Sequence, residues 1–234
     1  MKTILITGAS GGLGSCLVRE YLSRGYRVFG ADLKRSEATE AILAASEGRY
    51  TFHEMDATST ASVEAMAAQV RAQTESLDIL LNAVGVLFKQ SENLLEDFDI
   101  DGSIRMFDIN ALGPLRIVKA CVDMLRKGED RLLLNISSEA GSMTTHADYI
   151  NRYDYCMSKA SLNIQSVILQ RYLKPDGVKV LLVHPGWMRT SMGGNQAPVM
   201  PADSARGIAD LGEKYMHDLD SGMYFDYDGT PRAW

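Results

Sequence analysis

Cysteine is scarce in this sequence. The three cysteines among 234 residues, Cys16, Cys121 and Cys156, lie far apart and form no CxxC pair. This excludes a disulfide framework and a zinc site built on paired cysteines. The four histidines have no ligand-like spacing with one another or with the cysteines, so no metal site is predicted. Dispersed, reduced cysteines are typical of a cytoplasmic protein, which is the predicted location.

Basic charge and long apolar runs are also lacking. The chain has 24 Lys and Arg against 30 Asp and Glu, a formal net charge of −6. Nucleic-acid binding requires a basic face, so no nucleic-acid partner is predicted. No apolar run approaches the roughly 20 residues that span a bilayer, so no membrane partner is predicted either. The first apolar run ends in glycines after three residues, which favours a β-strand over a signal peptide.

Short apolar segments alternate with longer amphipathic ones along the whole chain. The apolar segments barely alternate in polarity, as expected where helices cover both faces of a parallel sheet. The pattern predicts a three-layer α/β/α Rossmann fold, a doubly wound sheet of seven parallel strands, in one domain spanning 1–234. The predicted strands are 3–7, 27–31, 50–54, 79–83, 131–137, 179–184 and 222–226.

Two long helices and one irregular segment complete the predicted outline. Apolar periodicity predicts a helix over 104–126, interrupted by Gly113-Pro114, and another over 153–173 that Pro175 ends. The segment 191–202 contains two glycines and two prolines with little periodicity. It is predicted to be a mobile loop beside the substrate.

A glycine-rich turn follows the first predicted strand. Gly8, Gly12 and Gly14 stand where that strand turns into a helix, with the spacing G-x3-G-x-G. Glycine lets the backbone bend tightly and approach a pyrophosphate, which then lies at the N-terminus of the helix. The alternative is a glycine-rich turn without a ligand. The strand before and the amphipathic helix after favour a dinucleotide site.

An acid stands 18 positions beyond Gly14, at the end of the second predicted strand. The carboxylate of Asp32 could accept hydrogen bonds from the ribose hydroxyls of NAD and would repel the 2′-phosphate of NADP. Lys34 and Arg35 keep NADP open, because basic residues can accommodate that phosphate. The pattern favours NAD over NADP.

Tyr155 precedes Lys159 by four residues, so the two share one face of the predicted helix. A tyrosine pKa near 10 is too high for easy proton exchange at neutral pH, and a positive neighbour lowers it. The pair therefore suits a general acid or base acting on an alcohol or carbonyl. On its own such a pair is far more often a surface pair on a solvated helix, and the rest of the sequence has to decide.

Together, these motifs resemble the short-chain dehydrogenase/reductase family over essentially the full chain. The resemblance is carried by 7–14, Asp32, Asp56, 82–85, Asn110, Ser137-Ser138, Tyr155-x3-Lys159 and Pro185-Gly186. Within that family, the chain is similar to the C-factor-like carbonyl reductases. That similarity is carried by Asn163, 184–187, 191–194 and 224–229.

The resemblance implies an NAD(P)-dependent oxidoreductase that transfers a hydride between nicotinamide and a secondary alcohol or a carbonyl compound. Tyr155 would exchange a proton with the substrate, and Ser138 would hydrogen-bond to the substrate oxygen. Lys159 would hold the nicotinamide ribose and lower the tyrosine pKa. Asn110 would anchor a water that relays protons. Ser137 is the competing serine, but the family pattern favours the second.

The same resemblance implies the cofactor contacts and the assembly. Asp56 would bond to the adenine, and Pro185, Gly186 and Thr190 would clasp the nicotinamide amide. Family members pair through the two long helices, which implies a homodimer, with a tetramer also open. The predicted cofactor residues are Gly8, Ser10, Gly12, Leu13, Gly14, Asp32, Asp56, Ala57, Asn82, Ala83, Val84, Gly85, Tyr155, Lys159, Pro185, Gly186, Met188 and Thr190.

The predicted substrate is a small-molecule alcohol or carbonyl compound whose identity stays open. The segments 87–101, 141–152 and 191–202 are predicted to recognise it. Trp187, Met188, Met192 and Met200 fit an apolar pocket or ordinary core equally well. His184 is interpreted as structural. A dinucleotide-binding redox sensor without turnover is the alternative function. The full set of four catalytic-type residues favours an enzyme.

Overall fold

The computed structural model of the chain describes residues 1–144 and 149–234. Seven parallel strands form one sheet in the order β3-β2-β1-β4-β5-β6-β7. The predicted doubly wound α/β/α fold is thereby confirmed. Strand ends differ from the prediction by two residues or fewer. The strands are β1 Thr3–Thr7, β2 Arg27–Asp32, β3 Tyr50–Glu54, β4 Ile79–Asn82, β5 Leu132–Ile136, β6 Lys179–His184 and β7 Tyr224–Asp226.

Helices flank the sheet on both sides. Two of them begin at serine caps: Ser36 accepts a hydrogen bond from the backbone of Thr39, and Ser59 from that of Ser62. The helices are α1 Gly12–Ser23, α2 Glu37–Ala45, α3 Thr60–Arg71, α4 Ser103–Phe107, α5 Gly113–Arg126, α6 Tyr153–Leu173 and α7 Pro201–Tyr215.

The predicted interruption of the first long helix is a π-helical turn. It spans Asp108–Leu112 and joins α4 to α5 without a break in direction. Pro114 has no N–H to donate to the carbonyl of Asn110, so regular α-helical bonding cannot run through this point. Such turns occur often at functional sites, and this one contains Asn110.

The predicted mobile loop is shorter than expected. Pro201 and Ala202, the last two residues of the segment 191–202, are the first two of α7. Proline is favoured at the first helical position because its missing N–H would have no partner there. A backbone bridge between Met188 and Val199 ties the loop to the segment that follows β6.

Apolar side chains fill both sides of the sheet. In β1, Ile4 and Ile6 pack with residues of α1 and α7, and Leu5 packs on the opposite face with residues of α3 and α5. All three are fully buried. Burying such a side chain contributes about 1.5–3 kcal/mol, so the two cores hold the strands in a fixed order.

The central strands are locked together at their carboxyl ends. Thr7 donates to Asn82 Oδ1 at 3.2 Å, Asn82 donates to Asn135 Oδ1 at 2.9 Å, and Asn135 donates to Ser166 Oγ of α6 at 2.9 Å. This buried ladder crosses β1, β4 and β5. The chain order reverses between β1 and β4, and ligands of doubly wound sheets bind at such a crevice.

Two further observations concern the environment of the chain. In the described residues, every helix is too short or too polar to cross a bilayer. All three cysteines carry free thiols. The cytoplasmic location stays a prediction.

Candidate active site

The glycine-rich turn permits close approaches that no other residue could make. Gly8 has a φ of +71°, and a Cβ there would lie 2.7 Å from the backbone carbonyl of Ala83 in the neighbouring chain segment. A Cβ on Gly14 would lie 1.9 Å from the carbonyl oxygen of Gly8. The turn therefore packs backbone against backbone. It brings the N-terminus of α1, which begins at Gly12, to the edge of a groove where an anion is favoured.

The groove has three connected parts along the carboxyl edge of the sheet. We call the first the outer compartment, a hollow of about 280 Å³ beside the ends of β2 and β3. Two carboxylates, Asp32 and Asp56, line it. The other lining residues are Gly8, Gly11, Leu33, Met55, Ala57, Thr58, Ala83, Val84, Gly85, Val86, Arg105 and Ile109.

Both carboxylates of the outer compartment are oriented by local hydrogen bonds. Asp32 Oδ2 accepts from the backbone N–H of Ser10 at 3.0 Å, and Oδ1 accepts from that of Leu33 at 2.7 Å. Asp56 Oδ1 accepts from the backbone N–H and the hydroxyl of Thr58, at 2.9 and 2.7 Å. The hydrogen bonds from Thr58 lower the pKa of Asp56. Asp56 is therefore ionised at neutral pH.

Arg35, the residue that kept NADP open, has partners elsewhere. Its Nη1 lies 3.3 Å from Glu40 Oε1, and its guanidinium carbon lies 5.7 Å from the centre of the Phe52 ring. An ion pair and a cation–π contact therefore hold this side chain beside α2 and β3. Neither Arg35 nor Lys34 is among the described residues that line the outer compartment.

The inner compartment is a hollow of about 200 Å³ between the start of α1 and α6. It shares Gly8, Gly11, Ala83 and Gly85 with the outer compartment. Tyr155 and Lys159 line one side. The remaining lining residues are Gly12, Leu13, Gly14, Ile136, Ser137, Pro185, Met188, Thr190, Ser191 and Met192.

Lys159 is buried, with 4% of its surface exposed, and donates to the carbonyl of Ile136 at 3.0 Å. Burial lowers its pKa to about 8, because the charged form loses hydration. Its Nζ lies 5.9 Å from the centre of the Tyr155 ring. The two residues therefore converge on the inner compartment, which excludes the alternative of a solvated surface pair.

Tyr155 lies at the junction of the inner compartment and a larger cleft, and lines both. Burial raises the pKa of its hydroxyl, and a hydrogen bond with the Ser138 side chain partly opposes that rise. The pKa of Tyr155 is therefore raised and not lowered as predicted, and the influence of Lys159 on it stays a prediction. The removal of the phenol from water outweighs its favourable neighbours, and Tyr155 keeps its proton at neutral pH.

Both candidate serines line the cleft, but their hydrogen bonds differ. Ser137 donates to Asn163 Oδ1 at 2.5 Å, so its hydroxyl is committed to α6. Ser138 accepts a hydrogen bond from the backbone of Ala140 at 3.2 Å, hydrogen-bonds to Tyr155 and lines the cleft. The geometry favours Ser138 for contact with a substrate.

Asn110 lies in the π turn and is fully buried. Its Oδ1 accepts from the backbone N–H of Val86 at 2.8 Å, and its Nδ2 donates to the Val86 carbonyl at 2.9 Å and to Ser158 Oγ at 3.1 Å. The side chain therefore joins the segment after β4 to α6. It supports the wall of the groove from behind.

The cleft is the third part, with a volume of about 510 Å³. Each of the three segments that were predicted to determine specificity contributes part of its wall, although residues 145–148 lie outside the described residues. The rest of the wall comes from Tyr155 and from residues within 137–139 and 184–190. Met200 is not among its lining residues and precedes α7 instead. The cleft is lined by Leu87, Glu92, Ser137, Ser138, Glu139, Tyr149, Arg152, Tyr155, His184, Pro185, Gly186, Trp187, Met188, Thr190, Ser191, Met192, Gly193 and Gly194.

Two predicted cofactor residues lie behind the groove rather than on its surface. Ser10 orients Asp32 through its backbone and hydrogen-bonds through its hydroxyl to Thr39 at 3.1 Å. Asn82 is a member of the buried ladder. Conversely, Arg105 lines the outer compartment without having been predicted, because nothing in the periodicity of a long helix marks one turn as facing a groove.

His184 fits its structural interpretation. Its Nδ1 accepts from the backbone N–H of Glu139 at 3.1 Å, so the ring proton lies on Nε2. That nitrogen is 3.6 Å from Glu139 Oε2. The ring therefore joins the end of β6 to the residue after Ser138.

Comparison with known proteins identifies the family. The profile described as short chain dehydrogenase matches residues 2–200. The chain belongs to the short-chain dehydrogenase family. It is 38% identical over 161 residues to the C-signal protein of Myxococcus xanthus, covering 69% of this chain and 95% of that protein.

Solved structures agree. Carbonyl reductase Sniffer of D. melanogaster matches with a TM-score of 0.91 and 28% identity over 100% of both chains. An NADPH-bound carbonyl reductase from chicken fatty liver matches with a TM-score of 0.88 and 25% identity over 100% of this chain and 99% of that one. The chain is thus an oxidoreductase of the C-factor and carbonyl reductase type, which binds NAD(P) and acts on CH–OH or C=O groups of small molecules.

Proposed function

We propose that this short-chain dehydrogenase is an NAD-dependent carbonyl reductase in which Tyr155 exchanges a proton with the substrate oxygen. The observation that carries this proposal is the position of Tyr155, which lines both the inner compartment and the cleft, the latter together with Ser138. A group at that junction can meet a substrate on one side and a cofactor on the other. We further propose that residues 1–234 act as one domain, since a single sheet carries the whole groove.

The groove fits a dinucleotide by the chemistry of its lining. Glycines leave room for a pyrophosphate at the start of α1, and Asp32 and Asp56 offer acceptors for a ribose and an adenine. Lys159 and Thr190 line the inner compartment, where they would hold the nicotinamide half. When bound, the nicotinamide supplies or accepts the hydride.

Tyr155 acts as the acid in the direction of reduction. Burial keeps its proton in place, so it can donate that proton to an alkoxide forming on the substrate. Ser138 donates a hydrogen bond to the same oxygen and stabilises its developing charge. Lys159 is charged below a pH of about 8 and can supply the proton that returns to the phenolate after transfer. Asn110 holds the surrounding backbone in place.

Asp32 supports NAD over NADP. Its carboxylate lines the outer compartment, and backbone hydrogen bonds fix its orientation. A 2′-phosphate beside it would meet a negative charge, and Arg35 is paired with Glu40 outside the compartment. The chicken carbonyl reductase binds NADPH, but that is a property of the chicken protein and does not decide the cofactor of this chain. We expect a lower KM for NADH than for NADPH.

The cleft favours a carbonyl compound with an apolar or aromatic part. Leu87, Met188 and Met192 contribute apolar surface to its walls. Trp187 is 54% exposed and is fixed by a hydrogen bond from its Nε1 to the carbonyl of Gly193 at 2.7 Å. A rigid aromatic wall of this kind binds apolar groups with little loss of side-chain entropy.

The outer face of the two long helices favours a homodimer. Ile104 and Leu112 of one helical segment line an apolar groove with Tyr153 and Met157 of α6. Further exposed apolar side chains lie on the same helices at Leu115, Ile164, Ile168 and Tyr172. An exposed apolar surface of this kind is typical of a protein–protein interface. A second copy of the chain carries the same surface, so the two can pack together symmetrically. Light scattering should give twice the mass of the chain, and four times that mass would indicate a tetramer.

A turnover assay tests the proposed activity. The purified protein should oxidise NADH in the presence of small aldehydes or ketones, seen as loss of nicotinamide absorbance. Binding of NADH without turnover, across aliphatic and aromatic carbonyls and in the reverse direction with alcohols, would instead support a redox sensor.

A further inference from the structure

The peptide group after Ser138 is held at both of its ends. Its carbonyl oxygen accepts from the Tyr224 hydroxyl at 2.6 Å and from the backbone N–H of Gly141 at 2.9 Å. Its N–H, on Glu139, donates to His184 Nδ1 at 3.1 Å. Three elements of the fold therefore fix one peptide, and that peptide carries the serine that faces the substrate cleft.

Asn163 of α6 holds the same segment at two more points. Its Oδ1 accepts from the Ser137 hydroxyl at 2.5 Å, and its Nδ2 donates to the carbonyl of Gly141 at 3.1 Å. A Cβ on Gly141 would lie 2.9 Å from the backbone carbonyl of Lys159, so the segment packs directly against the helix that bears Tyr155 and Lys159.

Both side chains are buried and lie away from the substrate. Tyr224 is 3% exposed and Asn163 is 4% exposed. Neither is among the described residues that line the cleft or the two compartments. Water cannot replace buried hydrogen bonds of this kind easily, and loss of one partner leaves a polar group unpaired. Their contacts point to the backbone around Ser138 rather than to a ligand.

We propose that Tyr224 and Asn163 are positioning residues, which fix the segment 137–141 so that the Ser138 hydroxyl faces Tyr155. Through Tyr224, strand β7 at the edge of the sheet acts on the reaction centre. Both residues belong to the segments by which the chain resembles C-factor-like carbonyl reductases. Positioning Ser138 would be a function of those segments. It rests on the proposed function, in which Ser138 binds the substrate oxygen.

A double-mutant cycle tests this role. Tyr224→Phe removes the hydroxyl and keeps the ring that packs against Trp234, with centroids 5.3 Å apart. We expect kcat to fall by roughly tenfold with an unchanged KM for NADH, and Ser138→Ala to cost on the order of a hundredfold, within the range for such groups. The double variant should be no slower than Ser138→Ala, because Tyr224 acts through Ser138.

Tyr21→Phe is the matched control. Tyr21 is also buried, and its hydroxyl has no hydrogen-bond partner in the described part of the chain. It lies in the core far along α1, so the loss of that hydroxyl should leave kcat unchanged. Asn163→Ala acts on the same segment from α6 instead of from β7 and should give the same non-additivity with Ser138→Ala.

The outcomes separate this proposal from the proposed function. Unaltered kcat in Tyr224→Phe, or losses that multiply with that of Ser138→Ala in both cycles, would overturn the positioning role while leaving the enzyme assignment intact. Failure of the wild-type chain to turn over carbonyl compounds would overturn the proposed function itself. A second readout is the pH dependence of alcohol oxidation. The rate of alcohol oxidation rises as Tyr155 loses its proton. Loss of the Ser138 hydrogen bond should shift this rise in rate to higher pH in Tyr224→Phe, as in Ser138→Ala.

Discussion

The two ends of the groove are built differently. The outer and inner compartments are formed mainly by strand ends, the start of α1 and one face of α6, which the sheet and its two cores fix, and the loop after β6 lines one side of the inner compartment. The cleft is formed mainly by loops that follow β4, β5 and β6. The fold thus fixes where the chemistry occurs, whereas loops decide which substrate is used. Changes in the two regions should therefore have different consequences.

The largest effect is expected at the glycine turn. Gly8→Ala would force a residue with a Cβ into a left-handed conformation and place that Cβ 2.7 Å from the backbone of Ala83. Backbone strain of about 1–2 kcal/mol and overpacking of about 1–3 kcal/mol should together lower the free energy of unfolding, and NADH binding should be lost. Gly48→Ala is the matched control, with a φ of +81° and open space around it. Its free energy of unfolding, measured in denaturant, should fall only by the cost of the backbone strain, and its NADH binding should be normal.

The next effect concerns the choice of cofactor. Asp32→Ala should raise the KM for NADH about tenfold or more, the cost of losing hydrogen bonds to a charged group, and should lower the KM for NADPH. Asp123→Ala removes a carboxylate that is 77% exposed, away from the groove, and should change neither value. A strong preference of the wild-type enzyme for NADPH would contradict the role of Asp32.

A smaller effect should appear with pH. Lys159 has a pKa of about 8, so its ammonium loses its proton as the pH rises through that value. Reduction should then slow, approaching tenfold per pH unit, since the phenol is no longer resupplied with a proton. Tyr155 has a raised pKa and stays protonated longer. A rate of reduction that is constant well above pH 8 would exclude Lys159 from proton transfer.

The smallest effect belongs to the cleft. Trp187→Ala should raise the KM for an apolar aldehyde only about threefold to tenfold, because the ring is 54% exposed before any substrate binds. The KM for NADH should not change. Trp187→Phe should recover much of the loss. An equal rise in both KM values would show that the two regions are not separable in this way.

The same contrast explains what could be predicted from the sequence. Strand patterns, glycine spacing and the Tyr155–Lys159 interval follow from local periodicity, and all appear in the structure at the expected places. The direction of the Tyr155 pKa was wrong, because sequence spacing gives neighbours but not burial. The hydrogen bond from the Tyr224 hydroxyl to the Ser138 carbonyl joins residues 86 positions apart. No local pattern reports a contact of that kind.

The π turn at Asp108–Leu112 lies between these cases. The Gly113-Pro114 pair marked the place of an interruption but not its form. The shape of the cleft was least accessible, since its walls depend on how separate loops meet. Three contributing segments and the apolar character of Trp187, Met188 and Met192 were predicted, but not how they are arranged.

The turnover of Tyr155→Phe tests the central claim most directly. This change keeps the ring and removes only the transferable proton. With NADH binding verified by fluorescence titration, kcat for carbonyl reduction should fall at least ~10²-fold, as expected for a general acid. Near-normal kcat in a variant that binds NADH normally would contradict the assignment of Tyr155 as the proton donor.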